Sequence, residues 1–361
     1  MATFTGQLRS NEIFSALYNM IISQEVFADN LGEHQTLVDK ARVDGGLYGD
    51  TKLYYSTDVL KSVPWGNDAE AANLLALHRP EAPECQAIHL DIFRQICLTV
   101  DNYLSKRAWA TEGAFSSFNS IMLGWMKETK RVYDGTLYNV FIGTTKAAGA
   151  GQTVKVDLSS ASSLTGIEAE RMEAMLIAQK LADLMVAMGD YSRDFNDYGN
   201  LRSYAKDGIK VIWNSKFVNK IRKVDLPTIF HKDGLVDKFE EEILPERYFG
   251  EVNKTRLTNI EANTVRSVIE KDYTVSGPII HVFPGDYIPA GATVEIGEGY
   301  TAPTKDVICK VLVKLPPYMS AFEVGTSFFN PKSLTENHYL TFGHNTIEYL
   351  KNYPFITVEV K

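Results

Sequence analysis

Cysteine is scarce in this chain, and the few cysteines lie far apart. Three occur in 361 residues, at positions 85, 97 and 309, with no paired spacing. This pattern argues against a disulfide framework and favours buried thiols in a reducing compartment. Long apolar runs are missing too, since none approaches the roughly 18 residues of a membrane span, and the N-terminus has no apolar core typical of a secretory signal. We therefore expect a protein that contacts no membrane and is cytoplasmic where it is made.

Recognised catalytic and metal-binding motifs are also missing from the sequence. It contains no Gly-x-Ser-x-Gly and no His-Glu-x-x-His, and its seven histidines never take the i, i+4 spacing of a helical metal site. The stretch "GTTKAAGAGQT" (143–153) lacks the Gly-Lys-Ser/Thr of a phosphate loop. "DYSRDFNDYGN" (190–200) resembles a calcium loop, but Ala205 stands where a bidentate glutamate is needed. We predict no catalytic residue, no metal site and no cofactor.

One group of side chains leaves a site assembled in three dimensions open. His338 and His344 share the C-terminal stretch with Glu336 and Glu348. A lone histidine in such an aromatic-rich segment is more often a hydrogen-bonded structural residue than a ligand or a base. A soluble α/β enzyme, with a site built from scattered His, Asp and Tyr residues, therefore stays as an alternative from a different functional class.

Glycine is missing from Asn67 to Glu112, so this stretch is suited to a long regular element. Within it, "AIHLDIFRQICLTV" (87–100) fits two patterns. Every second residue is apolar except Arg94, which is typical of a strand, while every fourth residue is apolar as well, which is typical of a helix row. Periodicity alone does not decide between the two.

The following stretch predicts a long helix over 112–134. Its apolar side chains recur mostly at spacings of three and four, at Phe115, Phe118, Met122, Trp125 and Val132. Thr111 can cap its start, and Gly135 should weaken or end it. At ~1.5 Å per residue such a helix is about 34 Å long, which is longer than the average globular helix.

Residues 36–66 predict a two-stranded excursion from the body of the protein. Their flanks are rich in β-forming and charged residues, and "DGGLYGD" (44–50) has the turn residues of a hairpin tip. Few residues of this segment form a consistent core face. Because an isolated hairpin is at best marginally stable, the segment is expected to need a partner surface.

The second half of the chain predicts alternating helices and strands. After a loop at 146–163, a capping box at Thr165–Glu168 opens a helix with a methionine-rich face, which is suited to an adaptable core or a subunit contact. A strand and a short helix follow over 208–221, and short β runs punctuated by Gly and Pro occupy 274–316. The chain ends in a strand.

The order of these elements resembles that of the major capsid protein of tailed bacteriophages, a fold also used by encapsulin shells and the herpesvirus capsid floor. The resemblance covers nearly the whole chain and rests on element order rather than on a short motif. It is carried by "QEVFADNLGEHQTLVDKARVDGGLYGDTKLYYSTD", "DNYLSKRAWATEGAFSSFNSIMLGWMKETKRVYDGTLYNVFIGTT", "YAKDGIKVIWNSKFVNKI" and "LPTIFHKDGLV".

The resemblance implies an α+β fold with five parts. They are an N-terminal arm (1–35), an extended β-hairpin loop (36–66), a peripheral domain with the long strand and the spine helix (67–150), an axial α/β domain (151–334) with a β-rich insertion at about 274–316, and a C-terminal segment (335–361) that returns to the peripheral domain. Residues 86–100 would then be a strand and 112–134, or as far as 142, the spine helix.

The resemblance also implies roles for particular residues. The extended loop would lie over a neighbouring subunit, with its tip as the contact: Asp44, Gly45, Gly46, Leu47, Tyr48, Gly49 and Asp50. One face of the spine helix would join the core of its own subunit, through Phe115, Phe118, Met122 and Trp125. Because the arm begins almost at the first residue, scaffolding is expected from a separate protein.

The function implied is that of a structural protein, not an enzyme. The chain would assemble with copies of itself into hexamers and pentamers of an icosahedral head, made in the host bacterial cytoplasm and ending in the virion. A scaffolding protein and a portal protein would be further partners. The formal net charge of −8 argues against tight binding of phosphates, so packaged double-stranded DNA would be contacted weakly and non-specifically. An encapsulin-like compartment shell is the alternative with the same fold.

Overall fold

The structure is a computed structural model of the chain, and it describes part of the 361 residues. The described residues are 36–44, 51–62, 77, 79–101, 112–223, 240–253, 264–265, 271–275, 279–282, 287–288, 294–295, 300–303 and 307–361. Among these, only the backbone is described for 44, 101, 112–123, 150, 220–223, 250–303 and 322. The arm predicted at 1–35 lies outside the described residues.

Helices and strands alternate along the described chain. The helices are α1 Leu37–Ala41, α2 Glu112–Thr144, α3 Ser159–Ser162, α4 Ile167–Gly189 and α5 Ser215–Lys223, with 3₁₀ turns at Ala150–Gln152, Lys206–Gly208 and Glu246–Tyr248. The strands are β1 Arg42–Asp44, β2 Thr51–Ser56, β3 Glu84–Asp101, β4 Thr153–Val156, β5 Lys210–Asn214, β6 Glu240–Leu244, β7 Gly250–Asn253, β8 Thr264–Val265, β9 Lys271–Val275, β10 Ile279–Val282, β11 Tyr287–Ile288, β12 Val294–Glu295, β13 Tyr300–Pro303, β14 Val307–Leu312, β15 Tyr318–Asn330, β16 Thr335–Asn345 and β17 Phe355–Val360.

The chain divides into two compact units whose boundaries differ from the predicted ones. Unit 1 comprises Met1–Asp50, His89–Gly135 and Tyr318–Thr346, and unit 2 comprises Thr51–Ile88, Thr136–Pro317 and Ile347–Lys361. The predicted axial domain extended to 334, but its last part, from Tyr318 onward, belongs to unit 1. The predicted C-terminal segment is shared, since only its first twelve residues lie in unit 1. The reason is that β15 and β16 form one antiparallel pair, which the predicted boundary at 334 would have separated.

The long strand is an inner strand of the first sheet, between β16 and β2. Residues Glu84–Asp101 form a strand of 18 residues, so the every-second-residue pattern is real and the every-fourth pattern is coincidental. The sheet has the order β1-β15-β16-β3-β2. β16 pairs antiparallel with both β3 and β15, and β1 pairs parallel with the first residues of β15. Alternate residues of β3 are exposed and half-buried from Asp91 to Thr99, as expected for a sheet with one covered face.

Helix α2 is longer than predicted and continues through Gly135. It has 33 residues and ends at Thr144. Beyond Gly135 it buries Tyr138, Val140 and Ile142 almost completely, and the Tyr138 hydroxyl donates a hydrogen bond to the Pro316 carbonyl at 2.8 Å. A glycine inside a helix costs only about 1 kcal/mol, which this burial offsets.

Unit 2 is built on a second sheet with the order β4-β17-β14-β5-β6. Every residue of its central strand β14 is buried. Helix α4 packs its buried face into the same core as this sheet, through side chains such as Ile177, Leu181 and Met188. The predicted insertion at 274–316 therefore extended too far, because β14 is the middle of this sheet. The short strands β9 to β13 pair among themselves and with β7 and β8.

Two local predictions were wrong in detail. Strands β1 and β2 do not pair as a hairpin: β1 pairs with β15, and β2 lies beside β3. The pattern of residues 36–66 predicted two strands correctly, but alternation indicates a strand's faces and not its neighbour.

Helix α4 begins after Gly166, whose φ of 66° is in the left-handed region, and no side chain caps it. The predicted capping box at Thr165–Glu168 is therefore not formed.

Two glycines of helix α2 offer a matched test of its packing. A Cβ on Gly143 would overlap the backbone carbonyl of Tyr248, whereas a Cβ on Gly135 would meet no atom within 4 Å. We expect Gly143→Ala to lower the free energy of unfolding by roughly 1–3 kcal/mol, the usual cost of overpacking. Gly135→Ala should instead raise it by roughly 0.5–1 kcal/mol because alanine is the better helix former. Denaturant unfolding of both variants measures the contrast, and equal effects would contradict this packing.

Candidate assembly surface

Strand β2 and the residues after it expose apolar side chains in the single chain. Leu53 and Tyr55 are 50% and 65% exposed, and Val59 and Leu60 are exposed as well. The alternate residues point the other way: Ser56 is buried, and the Lys314 ammonium lies 6.0 Å from the Tyr54 ring centroid. Apolar side chains grouped on a surface indicate a site of interaction with another molecule. We call residues 51–62 the return segment.

Ser56 holds the return segment to unit 2. Its hydroxyl donates to the Asn352 side-chain oxygen at 2.6 Å and accepts from the Asn200 amide nitrogen at 2.8 Å. One residue later, the Arg202 guanidinium donates to the Thr57 carbonyl at 2.6 Å. The end of β2 is therefore fixed by hydrogen bonds to two other parts of the same unit.

Asp58 supplies a second, charged attachment. Its carboxylate accepts from the Leu201 backbone N–H at 2.9 Å and from the Arg193 guanidinium at 2.6 Å. These two donors, the backbone N–H above all, lower the pKa of Asp58 to about 2. The carboxylate is therefore ionised, and the attachment intact, throughout the neutral range.

The loop that receives Ser56 and Asp58 is the calcium-like stretch 190–200 with its next residues. The Asn196 side chain donates to the Asn200 carbonyl and accepts from the Asn200 N–H, at 2.7 and 2.9 Å. The backbones of Ser192 and Arg202 pair antiparallel across the loop. The Asp- and Asn-rich spacing thus closes the loop on itself and holds the return segment.

Arg42 of β1 contacts a buried carboxylate in unit 1. Asp134 is 1% exposed and accepts from the Tyr318 hydroxyl at 2.6 Å and from the Lys130 ammonium at 3.1 Å. It also accepts from Arg42 of β1 at 3.4 Å. Of the predicted tip residues, Asp44 is in β1, beside Ser320 of β15, and the other six lie outside the described residues.

The prediction that Trp125 belongs to the core of the subunit was wrong. Trp125 is 47% exposed, and Val132, seven residues later on the same face of α2, is exposed too. The buried stripe of this part of the helix is Met126, Lys130 and Tyr133, one position further along the chain. The side chains of the other predicted core residues, Phe115, Phe118 and Met122, lie outside the described ones. Trp125 and Val132 thus form an exposed apolar stripe.

One face of the first sheet is open, partly polar and partly apolar. Cross-strand hydrogen bonds join Gln95 to Thr341 at 3.0 Å and Thr99 to Asn337 at 2.7 Å. Phe93, Val324 and Phe328 are exposed on it. Cys97 lies on the same alternation as Gln95 and Thr99, so it is exposed, as is Cys85. The expectation of buried thiols therefore holds for Cys309 alone.

The glycine loop at 143–153 packs against the calcium-like loop. Asp197 accepts from the Gly149 N–H at 3.2 Å, from the Gln152 amide nitrogen at 2.5 Å and from the Tyr349 hydroxyl at 2.5 Å. A Cβ on Gly151 would overlap the Asp194 backbone, which explains a glycine at this position. The Asp197 carboxylate therefore joins the two loops.

The histidines of the C-terminal stretch do not form a catalytic group in the described part of the chain. His344 is fully buried, with one ring nitrogen 2.9 Å from the Tyr133 hydroxyl and the other 3.0 Å from the Asn345 carbonyl oxygen. Burial lowers its pKa, so it is the neutral, structural histidine that the residues favoured. The His338 Nε2 atom lies 3.9 Å from a Glu336 carboxylate oxygen. Among described residues, no three His, Cys, Asp or Glu side chains are placed to hold a metal ion.

A second buried charge lies in the core of unit 2. Lys310 on β14 is 1% exposed and donates to the Thr145 carbonyl at 2.7 Å, just beyond the end of α2, and to the Thr357 hydroxyl at 2.8 Å. Burial, assisted by the nearby Lys146, lowers the pKa of Lys310 to about 7, against the opposing effect of Glu359. Lys310 therefore links the end of α2 to the sheet of unit 2.

Sequence reasoning missed the residues that hold the return segment. Ser56 and Asp58 are ordinary polar residues in the sequence, and their partners Asn200 and Arg193 lie 144 and 135 residues away. One signal was available: in "TKLYYSTD" (51–58), Leu53 and Tyr55 alternate with Tyr54 and Ser56. That alternation indicates which side chains face outward.

Among the described helices, none is long and apolar enough to cross a membrane.

Comparison with known proteins shows the fold. No family model matches the sequence, and no curated protein does. A chain from the capsid of Staphylococcus phage Andhra is similar in structure, with a TM-score of 0.60, 10% identity and coverage of 90% of this chain and 84% of that chain. A chain from the structure of the head fibre and inner core protein gp22 of native bacteriophage P68 follows, with a TM-score of 0.57, 10% identity and coverage of 88% and 83%. The α+β chain therefore has the major capsid protein fold of tailed bacteriophages.

Proposed function

We propose that this chain is a major capsid subunit, which self-assembles into the icosahedral head that encloses the genome of a tailed bacteriophage. The observation that carries the proposal is the likeness to a chain of the Andhra phage capsid over most of both chains. A shared fold does not by itself imply a shared function. The exposed apolar side chains of the return segment and of α2 add a reason specific to this chain, because such side chains are suited to contact with a partner.

The partners follow from this function. Copies of the chain form hexamers and pentamers through head-to-tail interfaces that close into rings. A separate scaffolding protein and a portal protein assist assembly in the host bacterial cytoplasm, and the assembled shell is part of the virion. Packaged DNA is contacted weakly, since a chain with a net charge of −8 gains little from phosphate neutralisation. The chain itself is structural and not catalytic.

The extended loop is the proposed inter-subunit contact. Before the tip, Arg42 contacts Asp134 within unit 1, and after it, the return segment is held within unit 2 by Ser56 and Asp58. In this proposal, residues 45–50 of the tip and the exposed Leu53 and Tyr55 contact a neighbouring subunit. Many weak contacts of this kind hold a shell together, because each subunit is bound by several neighbours at once.

Sedimentation velocity of the purified full-length chain, followed by negative-stain microscopy, tests the proposal. The buffer contains a chelator and no nucleotide, so assembly depends on protein contacts alone. We expect closed megadalton particles, or free rings of five and six copies. A protein that remains monomeric or forms only a small oligomer of other symmetry would contradict the proposed function.

Deleting residues 45–50 should leave a folded subunit that cannot form closed shells. The deletion spares β1, so the pairing of Asp44 with β15 and the Arg42–Asp134 contact remain. The midpoint of denaturant unfolding of the unassembled subunit should therefore change little, while the yield of particles in a sucrose gradient falls below detection. Particles formed at the wild-type yield would show that the tip is not the contact.

A further inference from the structure

We propose that Ser56 and Asp58 form a clamp that fixes, already in the free subunit, which face of β2 is outward, so that Leu53 and Tyr55 are presented as a preformed contact to a second copy of this chain. The partner in this inference rests on the proposed function. The clamp itself rests on contacts within unit 2 alone.

The register of β2 decides which side chains are available to a partner. Successive residues of a strand point to opposite sides, so a shift by one residue would turn Tyr54 outward and Leu53 and Tyr55 inward. Ser56 prevents this shift because it is buried and bonded to both Asn200 and Asn352. A slipped strand would place a different side chain against those two amides and leave them without their partner.

Asp58 extends the clamp beyond the strand. It bonds at once to a backbone N–H and to a guanidinium of the loop 190–202, while the next two residues, Val59 and Leu60, are exposed. The receiving loop is closed by its own Asn196–Asn200 and Ser192–Arg202 bonds. The clamp is therefore complete within one subunit and requires no neighbour to form it.

The chemistry of the outward face identifies the partner. Leu53, Tyr55, Val59 and Leu60 carry no charge, so these four side chains are suited to an apolar patch of a partner. The same subunit exposes uncharged apolar groups elsewhere, including Trp125 and Val132 of α2. A second copy of the chain thus offers a surface of matching character. Fixing the segment beforehand reduces the conformational entropy that is lost on association, which favours binding.

Limited trypsin digestion of the unassembled full-length subunit tests the clamp. Lys52 and Lys61 flank it, and the Lys61 side chain is 86% exposed. In the variant with Ser56→Ala and Asp58→Ala, we expect cleavage at these lysines to be about tenfold faster, because proteolysis follows local opening. Asp157→Ala is the matched control, since it removes an exposed aspartate paired with Lys361 outside the clamp. Equal cleavage of wild type and the double variant would overturn the clamp.

Assembly of the same variants tests the presentation to a second copy. The clamp variant should fold, as judged by its circular dichroism and unfolding midpoint, but lose most of its particle yield. A variant with Leu53→Ser and Tyr55→Ser should keep the slow wild-type cleavage and also lose particles. If either double variant formed particles at the wild-type yield, the proposed presentation of Leu53 and Tyr55 to a second copy would be overturned. If the wild-type chain formed no shell or ring, the proposed function and the second copy would both fail, whereas the protease comparison would still decide the clamp.

Discussion

Replacing Asp134 with alanine should lower the free energy of unfolding by about 3–5 kcal/mol, the usual cost of removing one partner from a buried ion pair. The carboxylate is 1% exposed and joins three elements: Lys130 of α2, Tyr318 of β15 and Arg42 of β1. Burial, with the adjacent carboxylate, raises the pKa of Tyr318, so this hydroxyl stays a donor at any neutral pH. Without Asp134, a buried ammonium and a buried hydroxyl lose an acceptor.

Two comparisons separate this effect from a general loss of charge. Glu81→Ala removes the partner of Lys61, but both side chains are largely exposed, so it should cost less than about 1 kcal/mol. Asp134→Asn keeps the shape and one acceptor, so its loss of unfolding free energy should lie between the losses of Asp134→Ala and Glu81→Ala. The measurement is denaturant unfolding of the unassembled subunit. A loss below about 1 kcal/mol for Asp134→Ala would show that the three elements are held by other contacts.

The wild-type subunit should gain about 2 kcal/mol of stability between pH 6.5 and 8.5 from Lys310 alone. The folded-state pKa of Lys310 is lowered to about 7 from an ordinary value of 10.5. Between these values the unfolded chain binds more protons than the folded one, so the free energy of unfolding rises with pH. Below pH 7 both states are protonated, and this contribution no longer changes. The gain therefore begins near neutral pH and continues upward.

Comparison with Lys310→Met isolates this contribution. His344 and the other titrating groups are common to both proteins, so the difference between their pH profiles belongs to Lys310. The profile of the variant should be flatter by about 2 kcal/mol over this range. Lys146→Met should move the rise to higher pH, since Lys146 helps to lower the pKa of Lys310. Parallel profiles for wild type and Lys310→Met would show that the buried amine does not titrate near neutral pH.

Strong and local sequence patterns predicted the regular elements well. The stretch 87–100, with its alternation, lies within β3, and "GIKVIWNSKFVNKI" contains β5 and most of α5, as expected. The order of elements was enough to indicate the fold that the comparison with the Andhra phage capsid supports. These successes have one physical cause, which is that each pattern reports burial of a face by the element itself.

Predictions that depended on distant partners were less accurate. The stripe ending in Trp125 is apolar, but α2 buries Met126, Lys130 and Tyr133 instead, because Asp134 and Glu323 offer partners to the Lys130 charge. A buried lysine cannot be expected from spacing alone. Likewise β14 follows a run of Gly and Pro, and only its pairing with β5 and β17 identifies it as core.

Electron cryomicroscopy of the particles formed by the full-length chain tests the central claim most directly, because it shows both the symmetry and the neighbours of each subunit. We predict a closed shell in which the chain surrounds five- and six-fold axes, with Leu53 and Tyr55 against a different copy from their own. A chain that yields neither closed particles nor rings of five or six copies, or an assembly in which the return segment contacts only its own subunit, would contradict the account.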